Sequence, residues 1–131
     1  MPELATPIPG AWSATRRAGA RRVLVVDDDR DIRELLVELL ASEGYEVASA
    51  ADGRRALAEA RARRPDVILL DLMMPVMSGW EFREAQLRDP ALADIPVVVV
   101  TAFEESLDGT ELLRKPFLVE DVLDAVQRLA A

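Results

Sequence analysis

Carboxylates stand together at Asp27, Asp28 and Asp29, and another, Asp71, follows the apolar run Val67 to Leu70. A hydroxyl, Thr101, closes the run Ile95 to Thr101, and an ammonium, Lys115, lies just past a shorter apolar stretch. Gathered in one cavity, these groups make a strongly charged site. Two like charges about 4 Å apart repel by roughly 4 kcal/mol at an effective dielectric near 20, so three acids do not stay ionised together unaided. Lys115 offers one positive charge. The remaining excess suits a hard, oxygen-preferring cation such as Mg²⁺ (or Mn²⁺), which takes one or two carboxylates together with waters and phosphate oxygens. The chain has no His and no Cys, so a soft-metal site has no ligands. Cation, ammonium, hydroxyl and carboxylate together match phosphoryl transfer, in which catalysis is mainly positioning and charge neutralisation.

Taken singly, each residue has an ordinary explanation. Asp29 and Asp31 suit the first turn of a helix, where the dipole favours acids, and are set aside as ligands. Asp27 or Asp28 alone would be a helix cap, Thr101 a strand end and Lys115 a surface lysine. Convergence is what gives them a shared role, and convergence depends on the elements that carry them.

From Arg21 onward, short β-branched runs alternate with stretches of helical period, the pattern of βαβ units around a parallel sheet. The first strand covers Arg22 to Asp27, an apolar run suited to burial on both faces. A helix follows with Ile32, Leu35, Leu36, Leu39 and Leu40 in one stripe, stopped by Gly44. Strand two covers Tyr45 to Ala50, and Asp52 caps a helix over Gly53 to Arg64 that Pro65 ends. Strand three is Val67 to Leu70, followed by a loop from Asp71 to Ser78 and a helix over Gly79 to Arg88. Strand four is Ile95 to Thr101. A weaker fifth strand, Thr110 to Arg114, precedes Lys115-Pro116 and a last helix with Val119, Val122, Leu123 and Val126 on one face. Right-handed crossovers then give an α/β, doubly wound parallel sheet, for which the flavodoxin-like order 2-1-3-4-5 is one of two common choices. Ligands bind such sheets at the carboxyl ends of the strands, where strand order reverses. Four of the five strands deliver a reactive group to that edge.

At 131 residues the chain is the size of one domain with one core. Half the residues are hydrophobic and 31% are charged, a globular balance rather than a disordered one. Apolar runs such as Val97 to Val100 are too short to cross a bilayer, and the N-terminus lacks the order of a secretory signal, so no membrane insertion and a cytoplasmic location are expected. The net charge of -8 argues against direct nucleic-acid binding, which depends on Lys and Arg. Residues 1–22 carry +3, leaving -11 on the rest. Residues 1–20, with Pro2, Pro7, Pro9, Gly10 and Gly19 and no apolar period, are expected to be a flexible leader to a domain over 21–131: a solvated basic arm, or a docking element.

The runs LVVDDDRDIRELL (24–36), VILLDLMMPVMSGWEF (67–82), PVVVVTA (96–102) and KPF (115–117) resemble the receiver domain of two-component response regulators, over about residues 21–130. The resemblance implies that Asp71 is the phosphoacceptor, that Asp27 and Asp28 hold Mg²⁺ with Asp71, and that the backbone carbonyl of Met73 is a further ligand. It implies that Thr101 hydrogen-bonds a phosphoryl oxygen, with a small residue, Ala102, beside it. Lys115 would pair with Asp71 and then with the phosphoryl group, and Pro116 would follow a cis peptide bond. The donor would be a phosphohistidine on a partner histidine kinase or histidine phosphotransfer protein, acting in trans because this chain has no histidine. Phosphorylation would change affinity for an unknown downstream protein, with the chain a monomer or weak dimer. Beyond its own phosphorylation and autodephosphorylation the chain would not be an enzyme. A phosphohydrolase of the phosphoaspartate type would want an acid two residues past its nucleophile, where Met73 stands. With the chain stopping at its fifth helix, output falls to another molecule, unless the chain is a fragment.

Two features depart from the family. Only 13 residues, Ala102 to Arg114, separate Thr101 from Lys115. A crossover needs about 10 to 12 including its helix, so the fourth helix is expected to be one turn or a loop around Glu104 to Gly109. Leu112 stands where the family commonly has Tyr or Phe, so the usual aromatic switch is expected to be absent. Met73 and Phe103, the positions expected to tune dephosphorylation, are apolar, which points to a long-lived phosphoryl group. The short fourth region and Leu112 also leave open a receiver-fold interaction module that works without phosphorylation.

Overall fold

The computed structural model describes residues 19–130. Strands β1 (Arg22–Val26), β2 (Glu46–Ala50), β3 (Val67–Leu70), β4 (Val97–Thr101) and β5 (Glu111–Arg114) alternate with helices α1 (Arg30–Ser42), α2 (Gly53–Ala62), α3 (Gly79–Arg88) and α4 (Val119–Leu129). All strand pairs are parallel and the order is β2-β1-β3-β4-β5, the flavodoxin-like choice. The leader expected over residues 1–20 lies outside the described residues except for Gly19 and Ala20.

The sheet is covered on both faces because its central strands carry the unbroken apolar runs Val23 to Val26, Val67 to Leu70 and Val97 to Val100. Successive side chains point to opposite faces. Leu24 and Val26 of β1 and Ile68 and Leu70 of β3 therefore join Ala56, Leu57 and Phe82 from α2 and α3. Val23, Val25, Val67 and Leu69 join Leu36 and Leu40 of α1 and Val122 and Val126 of α4. No described helix is long and apolar enough to cross a membrane.

The helices begin and end where local chemistry dictates. Asp29 caps α1 by accepting the N–H groups of Asp31 and Ile32, and Gly44 follows the helix at φ 93°. Asp52 caps α2 by accepting from the Arg55 N–H at 2.9 Å. Ser78 and Glu81 form a reciprocal capping box at α3, with bonds of 3.3 and 3.0 Å.

Several expected boundaries shift. Helix α2 ends at Ala62, short of Arg64, because Pro65 pushes the residue before it out of helical geometry. Strand β4 begins at Val97, after Pro96, which has no N–H to give a ladder. Of the α1 stripe, Leu36 and Leu40 are buried while Leu35 is exposed, since the helix meets the sheet along one row of i and i+4 residues.

Between β4 and β5 there is no helix: residues 102–110 form a loop. Leu107, together with Leu112 of β5, packs against the core on the α2 and α3 side, which fills part of the space a helix would cover. Gly109 adopts φ 76° at the turn, where Thr110 N–H donates to Leu107 O at 3.1 Å. Arg83 of α3 ties the loop down by donating to Asp108 O at 3.3 Å.

Candidate functional site

Parallel pairing aligns the strand ends, and the residues singled out in the sequence arrive together. Asp27 directly follows β1, and its N–H still donates to Ala50 O of β2 at 3.1 Å. Asp71 directly follows β3, with its N–H on Val26 O at 2.8 Å. Thr101 is the last residue of β4, fully buried, and its carbonyl accepts the Lys115 N–H at 2.8 Å. The Lys115–Pro116 peptide bond is cis.

Carboxylate oxygens of Asp27, Asp28 and Asp71 lie within 4.8 Å of one another. Asp27 and Asp71 are buried, whereas Asp28 is exposed and its side chain has no hydrogen bond among the described residues. The Lys115 ammonium reaches both buried acids, but unequally: 2.7 Å to Asp27 Oδ2 and 3.6 Å to Asp71 Oδ2. Asp29 lies outside this group, as a helix cap should.

Charge crowding shows in the titration of the site. Burial and the charge of Asp27 push the Asp71 carboxyl up to about 6, against the opposing pull of Lys115 and the Met73 and Leu72 backbone N–H groups. Burial pulls Lys115 down, yet the Asp27 hydrogen bond and the charges of Asp27 and Asp71 outweigh it and raise the ammonium above its ordinary value. The Lys115 shift reports excess negative charge, and the Asp71 shift reports burial first and that charge second. An all-oxygen donor set with that excess fits a small hard dication.

Around this cluster, Met73 lies two residues past Asp71, with its N–H 3.5 Å from Asp71 Oδ1 and its side chain half exposed. The Phe103 N–H stands 3.4 Å from Thr101 Oγ1, and its ring is also half exposed. Ala102 is exposed, and Leu112 is partly buried against the core.

Two contributors escaped the sequence reading. Gly79 starts α3 against the Asp71 main chain: its N–H donates to Leu72 O at 2.9 Å, and a Cβ there would overlap the Asp71 carbonyl oxygen and lie 2.7 Å from Leu72 Cα. Glycine next to a helix cap was the available signal. Arg33 of α1 donates to the Asp27 carbonyl at 2.8 Å, and nothing in its sequence position marks it. A groove of about 830 Å³ between α1 and the start of α2, lined by Arg30, Arg33, Asp52 and Arg55 among others, does not include the carboxylate cluster. The reactive groups converge at the cluster rather than in this groove.

The family described as Response regulator receiver domain matches residues 23–127. The chain is 38% identical over 116 residues to the DNA-binding dual master transcriptional regulator RpaA of Synechocystis sp., covering 82% of this chain and 48% of that protein. It is 41% identical over 116 residues to the response regulator MprA of Mycolicibacterium vanbaalenii, covering 82% and 49%. The chain thus spans about half the length of the curated relatives it matches. Among solved structures, chemotaxis protein CheY4 of Vibrio cholerae aligns with a TM-score of 0.79 at 38% identity, covering 85% of this chain and 99% of that one. The Francisella response regulator 1452 receiver domain aligns at 0.75 and 28% identity, covering 84% and 96%.

Proposed function

Because the chain belongs to the response regulator receiver domain family, we propose that it takes a phosphoryl group onto Asp71 from the phosphohistidine of a partner histidine kinase or phosphotransfer protein, and thereby changes its affinity for a downstream protein. The observation that carries this reading is the meeting of Asp27, Asp28, Asp71 and Lys115 at the carboxyl edge of the sheet.

An Asp71 carboxylate oxygen attacks phosphorus, the P–N bond to imidazole breaks, and the product is an acyl phosphate. With its carboxyl raised to about 6, Asp71 is ionised roughly ten to one at pH 7 and is more basic than an ordinary aspartate. Lys115 stays charged and neutralises oxygen charge as it builds. The Thr101 hydroxyl, at the end of β4, is the donor for a phosphoryl oxygen. A divalent cation, held by Asp27, Asp28, Asp71 and the Met73 carbonyl, would supply the further positive charge that phosphoryl oxygens require. The chain is modified in this step rather than turning over a substrate.

The acidic body argues against nonspecific DNA contact by these residues, while the relatives named as DNA-binding are about twice as long. A cytoplasmic setting follows from the proposed donor. Incubation with acetyl phosphate and Mg²⁺ tests the reading: mass spectrometry should show one added phosphoryl group, absent in Asp71→Ala. Equal labelling of that variant, or none in the wild type, rejects it.

A further inference from the structure

Every polar group of Asp27 is held. Its N–H donates to Ala50 O at 3.1 Å, its Oδ1 accepts the Asp29 N–H at 2.9 Å, and its Oδ2 accepts Lys115 Nζ at 2.7 Å. The fourth group, the carbonyl, accepts Arg33 Nη1 at 2.8 Å. Apart from Lys115, Arg33 is the one side chain among these partners, and it has no place in the function proposed above.

Its situation on α1 is unusual. The helix is acidic, and the other arginine on it, Arg30, binds Glu34 at 2.9 Å. Arg33 forms no ion pair among the described residues and donates instead to main chain. It is also anchored to the turn it clamps, because its own N–H donates to the carbonyl of the capping residue Asp29 at 2.9 Å. A guanidinium bond to a carbonyl is charge-assisted and stronger than a neutral one.

Asp28 presents the opposite case. Exposed and without a side-chain hydrogen bond among the described residues, it depends on the backbone for its place among the carboxylates. The Asp27 carbonyl and the Asp28 N and Cα belong to one rigid peptide plane. A donor that fixes that carbonyl therefore narrows the directions open to the Asp28 side chain.

We infer that Arg33 is a positioning residue for the divalent-cation site, acting through the peptide that joins Asp27 to Asp28. The inference rests on the reading of Asp27, Asp28 and Asp71 as cation ligands, and Arg33 itself touches no cation. Groups that orient ligands from behind change metal affinity by about 10- to 100-fold when removed.

Calorimetric titration of the metal-free protein with MgCl₂ tests this, using wild type, Arg33→Ala, Arg33→Lys, Asp28→Ala and the Arg33→Ala/Asp28→Ala double variant. Arg33→Ala should bind Mg²⁺ about tenfold more weakly, and Arg33→Lys, which keeps a charged donor group, should recover most of the loss. Because Arg33 acts through Asp28, the double variant should bind no more than about twofold more weakly than Asp28→Ala alone. Arg33→Gln, a smaller change with a neutral donor, gives the same comparison should the alanine variant fail to fold. Wild-type affinity in Arg33→Ala, or losses that add fully in the double variant, overturns the role of Arg33 while leaving the cation site standing. A wild type that takes up no Mg²⁺ overturns both.

Discussion

The Lys115 ammonium is hydrogen-bonded to Asp27 at 2.7 Å and stands 3.6 Å from Asp71. It bridges two buried acids across four strand ends while leaving the Asp71 carboxylate without a short side-chain bond. Asp71 is thus neutralised in part yet free to react, and burial together with the charge of Asp27 still raises its carboxyl. The consequences can be measured.

Asp71 should cost the metal-free protein stability at neutral pH. Its carboxyl is raised from 3.8 to about 6 by burial and by the charge of Asp27, so between those values the folded chain holds a proton that the unfolded chain has lost. Stability therefore falls as pH rises from about 4 to 6 and stays reduced above. Asp71→Asn should be more stable than wild type at pH 7.5 by about 1–2 kcal/mol, a figure discounted for the solvent that reaches this carboxyl. In calorimetric scans the difference should vanish near pH 4. A wild type that melts above the variant at pH 7.5 contradicts the assigned cause.

Divalent cations should remove that cost. Mg²⁺ at 100 times its Kd stabilises a folded protein by about 2.7 kcal/mol, and the rise in Tm should be larger at pH 7.5 than at pH 5, where Asp71 is mostly protonated. Asp27→Asn/Asp28→Asn should lose the response. A Tm that rises with Mg²⁺ equally in that variant would place the ion elsewhere.

Lys115→Ala should leave Asp27 and Asp71 facing each other without a countercharge. Loss of one partner from a buried pair costs about 3–5 kcal/mol, and the partial exposure of this lysine puts the expected loss near the lower end. The loss should shrink toward pH 4 as Asp71 takes up its proton. Labelling by acetyl phosphate should slow at least about tenfold, corresponding to roughly 1.4 kcal/mol of lost transition-state stabilisation. Unchanged labelling would remove Lys115 from the reaction.

Gly79→Ala should be damaging despite the small change. The added carbon meets the Asp71 carbonyl and Leu72 Cα, both backbone, so the start of α3 must move. Overpacking of this kind costs about 1–3 kcal/mol. Because the displaced chain carries Asp71, phosphoryl labelling should fall along with the Tm, a pairing that a purely structural glycine would not produce.

Phosphorylated protein should decay slowly. Met73 and Phe103 flank the strand ends that carry Asp71 and Thr101, and neither side chain has a hydrogen-bond donor or a strong acceptor to position a water. Decay in Mg²⁺ buffer, followed by intact mass, should take minutes or longer, and Met73→Asn should shorten it. A half-life of seconds in the wild type would refute the shielding role.

Sequence alone determined the fold class and which strand-end residues share one edge, while leaving two common strand orders open. The runs Val23 to Val26, Val67 to Leu70 and Val97 to Val100 are apolar at every position, so only a sheet covered on both faces can bury them, and a parallel sheet sends the residue after each strand to one edge. Asp27, Asp71, Thr101 and Lys115 were legible for that reason, and the short span from Ala102 to Arg114 made the loss of a helix legible too. The tertiary structure alone decided the partners: which acid Lys115 sits nearer, across 88 positions of sequence, that Leu107 turns inward where a helix is missing, and that Arg33 reaches the Asp27 carbonyl. Periodicity reports how a segment folds against its own neighbours, whereas a long side chain chooses among groups that meet only when distant segments pack, and no local pattern encodes that choice.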